Sequence, residues 1–260
     1  MPPPATHHQM STTTGDTVEH IVLFKAKPDA DPSAVAAMVN GLNSLSSLDS
    51  VLHLTTGPLL RCKSDSLTFT HMLHARFRSK DNLRAYSLHP NHVRVEQESK
   101  PVLDDIMAVD WLTDAATAAL TPRPGSAMRV RLLKLKEGLG EEEKAGVLGL
   151  FENMNFQLSF GENFSPERAK GYSIGSIAFY PGLGELEVDG DSDIMEVGKD
   201  LVESEDLNFQ LSFDPDRAKG YSIGSIAFYP GLGELEVDGD SDIMEVGKDL
   251  VESEVVLPLP

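Results

Sequence analysis

Two stretches of this chain are letter-for-letter copies. Arg168 to Glu205 reads RAKGYSIGSIAFYPGLGELEVDGDSDIMEVGKDLVESE, and Arg217 to Glu254 repeats it unchanged. The hexapeptide NFQLSF also recurs, at 155–160 and 208–213; seven residues (161–167) separate it from the first copy and three (214–216) from the second. Solenoid repeats usually agree at core positions only and need three or more units to bury a continuous core. Identity that reaches every surface position instead marks a recent duplication or an error of gene assembly. One copy is therefore surplus. The two copies compete for one place: one packs, and the other is an appended hairpin and helix whose apolar strand needs a partner.

The rest of the chain is ordinary globular material. With 260 residues and 40% hydrophobic content it can fill one large or two small domains. No apolar run approaches ~18 residues, so no membrane span is expected. The net charge of −19 repels phosphate backbones and argues against a nucleic-acid partner. That charge is uneven: up to Ala127 it is −2, and from Met128 onward −17. All eight histidines lie at or before His92, which confines chemistry near neutral pH to the first half. A single cysteine, Cys62, excludes an internal disulfide framework and a multi-thiolate zinc site. Neither a basic, apolar leader nor a C-terminal peroxisomal tripeptide is present, so the expected compartment is the cytoplasm.

Patterning divides the chain into a tail (1–16), a first domain (17–113), a linker (114–127), a second domain (128–205), the duplicated copy (206–254) and a terminal strand and tail (255–260). In the first domain, Val18 to Lys27 sets Val18, His20, Val22 and Phe24 on one face and Ile21 and Leu23 on the other, as a central strand does. Asp31-Pro32 starts a helix that carries Val35, Met38, Leu42 and Leu45 at helical spacing. An extended piece (52–60), a polar turn (61–66) and a strand (67–77) follow. That strand puts Leu67, Phe69, His71, Leu73, Ala75 and Phe77 on one face. Residues 79–88 are helical, a second helical stretch from His92 to about Asp105 bends at Pro101, and 106–111 closes the domain as a strand.

The order βαββαβ predicts an α+β, ferredoxin-like sandwich with helices on one face of the sheet. Its apolar helix-free face must be covered, most economically by the same face of a second unit, in a homodimer or within the chain. After the linker the pattern restarts with strands at 128–136, 156–160 and 172–180, a helix from Glu141 to about Met154, and a capped helix from Asp193 to Glu203. Val255 to Leu259 is the expected last strand.

The segments VEHIVLFKAK (18–27), LTFTHMLHARF (67–77), AYSLHPNHV (85–93) and KPVLDDIMAVDW (100–111) resemble the stress-responsive dimeric α/β-barrel domain of plants and bacteria. Residues 128–205 with 255–259 are similar to the second, more divergent domain of plant two-domain members, through the stretch SFGENFSPERAKGYSIGSIA (159–178). The resemblance implies tandem barrel units paired sheet to sheet, the second disturbed by the duplication, in a stress-associated protein without catalysis or cofactor. It also opens the peroxisome as a compartment. One relative, olivetolic acid cyclase, is an enzyme whose strand histidines, helix tyrosine and turn histidine fall on His20, His71, Tyr86 and His92. Its first-helix tyrosine falls on Met38.

Two readings of these residues stay open. In the first, the chain assembles by sheet pairing and holds a small apolar molecule between the sheets, in a pocket bordered by His20, Val22, Phe24, His71 and Leu73. In the second it is a polyketide cyclase-like enzyme, with His92 as base and Tyr86, His20 and His71 in support, since a near-neutral imidazole can remove a proton alpha to a carbonyl. The bland alternative is histidines that pack and satisfy hydrogen bonds in the core. His89 and His92 lack a third metal ligand. Asp189, Asp191, Asp193 and Asp200 mimic a calcium loop but carry Ile194 where the turn needs glycine, so no metal is expected. Gly182-x-Gly184 lacks a phosphate cradle, Cys62 is an ordinary surface thiol, and the sequon at Asn163 has no consequence without secretion.

Overall fold

The computed structural model describes residues 17–63, 67–113, 126–136, 138–152, 158–188 and 207–212. They fall within one compact part of the chain, Met1–Pro215.

The first domain begins with β1 (Thr17–Ala26), whose residues are buried on both faces apart from Val22 and Lys25. Asp31 caps α1 (Pro32–Ser44) by accepting from the Ser33 amide at 2.8 Å, and Pro32 supplies the preset first-turn φ. The helix lays Val35, Met38 and Leu42 on the sheet. Strand β2 (Val51–Pro58) follows, then a short β3 (Arg61–Lys63) and β4 (His71–Phe77). Ser79 caps α2 (Lys80–Leu88). The second helical stretch starts before His92: Pro90 opens it as α3 (Pro90–Ser99), with His89 as its cap. The helical stretch expected to run to Asp105 stops at a 3₁₀ turn (Lys100–Val102), and β5 (Leu103–Thr113) starts earlier than its pattern predicts.

These strands form an antiparallel sheet in the order β2-β4-β1-β5. Side chains of even number on β1 and odd number on β4 face the helices, where Val18, Phe24, Leu73, Ala75 and Phe77 pack with Leu83, Tyr86 and Val95. The expected continuous face from Leu67 to Phe77 breaks at Thr70, whose amide and hydroxyl both donate to the Phe24 carbonyl. Phe69 consequently lies in the opposite core from Leu73.

The second domain has β6 (Ala127–Leu133), α4 (Glu141–Glu152), β7 (Leu158–Glu162), β8 (Ile174–Tyr180), α5 (Leu183–Val188) and β9 (Leu207–Ser212). Its sheet runs β3-β9-β6-β8-β7. Two features depart from expectation. The polar turn at 61–66 contributes β3, which leaves the first domain to pair with β9 (Cys62 opposite Phe209). Beside β6, on the side away from β8, lies Leu207–Ser212, a segment that the sequence assigns to the duplicated copy. The predicted strand at 255–259, the helix at 193–203 and the rest of the second copy lie outside the described residues. NFQLSF therefore serves twice: its first occurrence runs into β7 on one side of the sheet, and its second forms most of β9 on the other.

The helix-free faces of the two sheets meet. Ile21, Leu23, Met72, Met107, Val109 and Trp111 share one core with Met128, Val130, Leu132, Tyr172 and Ile177. Contact is closest around Trp111, the largest fully buried side chain. A Cβ on Gly175 would stand 2.5 Å from its ring, and one on Gly161 would stand 2.9 Å from the Leu112 carbonyl, so both positions require a residue without a side chain. The apolar face that called for a matching layer receives it from the same chain.

Candidate functional site

On the helix side of the first sheet, three of the four residues singled out for chemistry come together. His20 on β1 stands opposite Asp110 on β5, and their side chains meet at 2.5 Å through Nδ1 and Oδ1. Both are buried. The Tyr86 ring, from α2, lies edge-on to His20 at 6.3 Å between centroids and 4.5 Å from the ring of His92 on α3. Capping by His89 and the Pro90 start turn α3 so that His92 reaches back to Tyr86. His71 does not join them. It pairs with Phe24, at the other end of the strand from Ala75, which faces His20, and its Nδ1 bonds the Thr70 hydroxyl at 2.8 Å.

Burial determines the protonation of this group. His92 is held below its ordinary range by desolvation, opposed by Glu96 and by a hydrogen bond to the Ser87 backbone, and helped by His20 and Arg168. It is therefore neutral at pH 7, and its buried Nδ1 has no hydrogen-bond partner among the described residues. Desolvation brings His71 down to about 4 and pushes the Tyr86 phenol far above its ordinary range. Burial alone would raise Asp110, but His20, Ser165 and Arg168 together hold its carboxyl below the usual value.

The pocket expected between the sheets is corrected by side-chain parity. His20, Val22, Phe24, His71 and Leu73 all face the helices, where Val22, Phe24 and Leu73 belong to the helix-side core. The space between the sheets holds something the sequence reading missed. Glu19 accepts from His74 Nε2 at 2.7 Å and pairs with Arg76 Nη2 at 2.8 Å, all three essentially inaccessible. Burial opposes ionisation of Glu19, yet His74 and Arg76 bring it down to about 2. His74 itself is shifted down by desolvation, so the ion pair is Glu19 with Arg76, and a neutral His74 donates to it. Phe179 of the second domain covers the Arg76 guanidinium at 5.3 Å. His53, at 5.2 Å from His74, is brought down to about 3, chiefly by desolvation. A charged residue on the apolar face of a central strand was the available signal.

The second domain reaches the His20 group directly. Asn163 Oδ1 accepts from the Asp110 amide at 3.0 Å, and the Phe164 amide donates to the Asp110 carbonyl at 2.9 Å. Arg168 Nη2 donates to Asp110 Oδ2 at 2.5 Å. Phe164 packs against the helix-side core of the first domain, under Lys80 Nζ at 3.9 Å. Asn163 is buried and fully engaged, with its Nδ2 donating to the Tyr172 carbonyl, so the sequon there is closed to modification. Among the described residues no three metal-ligating side chains converge. No helix there is long and apolar enough to cross a membrane.

Comparison with known proteins agrees with this architecture. The profile of the stress responsive A/B barrel domain matches residues 18–113. A stress-response A/B barrel domain-containing protein of Arabidopsis thaliana is 46% identical over 200 residues, covering 74% of this chain and 76% of that relative. A second stress-response A/B barrel domain-containing protein of the same plant is 48% identical over 176 residues, covering 65% of this chain and 83% of the relative. Among solved structures, a monooxygenase candidate from Fusobacterium nucleatum shares the fold at a TM-score of 0.50 and 9% identity, over 77% of this chain and 98% of that one. With a ferredoxin-like sheet closed by a second sheet, and relatives nearly half identical over most of their length, the chain belongs to the stress-response A/B barrel domain family.

Proposed function

We propose that this stress-response barrel protein is a binding module without turnover: it pairs its own two sheets and holds a small, mainly apolar molecule beside His20, Tyr86 and His92, on the helix side of the first sheet. The observation that carries this reading is the buried, unpartnered Nδ1 of His92, set against the Tyr86 ring at 4.5 Å. A buried polar atom without a partner costs about 1–3 kcal/mol, which a ligand hydroxyl or amide would recover. Absence of turnover is supported by Met38, buried at the position of the relative enzyme's first-helix tyrosine, and by a Tyr86 phenol too weakly acidic to give up its proton readily. Titration with 1-naphthol, followed by its fluorescence, tests the reading. One saturable site is expected, weakened about tenfold in His92→Leu, consistent with the loss of one hydrogen bond. Absence of saturable binding would overturn it.

A second reading, proton-transfer chemistry on a polyketide-like substrate, is favoured by the same neutral imidazole, which is in the protonation state of a general base. It requires turnover that His92→Ala abolishes while the melting temperature stays within a few degrees. A large loss of stability in that variant would instead mark a packing histidine.

A further inference from the structure

We infer that the helix-side site is built by both domains, and that Arg168 of the second domain recognises an anionic group, so that the ligand is a small carboxylate with an apolar body; this rests on the binding reading above. The guanidinium joins the buried interior to solvent. Its Nη2 reaches the fully buried Asp110, whose other oxygen holds His20, while the side chain as a whole remains 51% exposed. Among the described residues Asp110 and Ser165 engage Nη2 alone, Ser165 at 3.3 Å, and a planar five-donor fork used at one nitrogen leaves donors in the geometry that a carboxylate accepts.

The surroundings fit such an amphiphile. Lys80, above the Phe164 ring, adds a second cation next to the docking segment, and the carboxylate of Glu96 on α3 is paired with Lys100 at 3.1 Å. Exposed large apolar side chains lie on the elements that carry the site: Leu88 on α2, Val93 beside His92 on α3, and Leu112 on the Asp110 face of β5. The second copy repeats the arginine as Arg217 but has only Asp214-Pro215-Asp216 where the first has Gly161 to Glu167, and so has nothing matching Asn163 and Phe164. The docking segment that delivers Arg168 to Asp110 is thus a property of the first copy.

The test is calorimetric titration of the full chain with octanoate and with 1-octanol, which share one apolar body. Octanoate should bind about tenfold or more tightly, the scale of a charge-assisted contact. Arg168→Gln should bring the two within about twofold, and Arg168→Lys should restore part of the preference. In the wild-type chain, which removes any question of variant folding, the carbon-13 carboxyl resonance of bound octanoate should titrate at a lower pH than that of the free acid. Equal affinity for the two probes, a preference that survives Arg168→Gln, or an unshifted carboxyl titration overturns the anion assignment and leaves the binding reading standing. Binding of neither probe overturns both.

Discussion

Asp110 gathers more of the molecule's polar contacts than its place in an edge strand suggests. Its carboxylate holds His20 and Arg168, its amide donates to Asn163, and its carbonyl accepts from Phe164. Asp110→Asn keeps the shape but removes the charge that the His20 ring and the Arg168 guanidinium face. We expect a loss of about 3 kcal/mol in urea unfolding, because breaking a buried pair leaves its partners uncompensated. The buried imidazoles set a pH dependence of known sign. With His71 at about 4 against an ordinary 6.5, the unfolded chain binds a proton in that interval and the folded chain does not. Stability is therefore full above pH 6.5 and falls as pH drops toward 4, by up to roughly 3 kcal/mol. Glu19, at about 2 against 4.5, continues the loss at lower pH. Thermal melts from pH 7 to 4 should show the decline, and His71→Asn should make it shallower while the lowered His53 keeps part of it. Pairing of residue types is where the sequence was least legible. His20, Tyr86 and His92 could be singled out because imidazole and phenol are scarce and chemically distinctive. Asp110, Glu19 and Arg76 gave a weaker signal, a charge on an apolar strand face, because an acid or base in a strand usually faces water.

The elements were legible wherever local periodicity and caps agree. Strands β1, β6 and β8 and helices α1, α2 and α4 fall within a few residues of their patterned positions. The misses have a common cause: long-range pairing overrode local composition. Arg61–Lys63 reads as a polar turn yet becomes a strand because the exposed edge of β9 offers it a ladder. Conversely, the seven-residue insert 161–167 looks like loop filler and is the element that docks one domain on the other. Replacing Gly161–Glu167 with the second copy's Asp-Pro-Asp should cost on the order of 3 kcal/mol, from the lost hydrogen bonds to Asp110 and the loss of Phe164 packing, as read by chemical denaturation. Gly175→Ala tests the closest approach of the sheets. With Trp111 atoms at 2.5 and 2.6 Å from the added carbon and packed on every side, we expect about 1–3 kcal/mol of destabilisation by the same measurement.

At the scale of the whole molecule, the helix-free face of the first sheet is covered by the second domain, so the surface that would otherwise join two copies is already used. Light scattering coupled to size exclusion is expected to give the mass of one chain. All the described strands of both sheets lie within residues 17–212. Truncation after Pro215 should therefore leave the melting temperature within a few degrees, whereas truncation before Leu207 should lower it sharply by stripping β9 from β6 and β3. The sequence by itself determined the ferredoxin-like order and the apolar face that demanded a cover, because strand alternation, helical spacing and caps are encoded by neighbours along the chain. Only the tertiary structure decided which segment sits beside β6, which face His20 and His71 occupy, and that Arg168 meets Asp110. Identical hexapeptides satisfy either edge of a sheet equally well by local rules, and charges find one another through contacts between residues far apart in sequence.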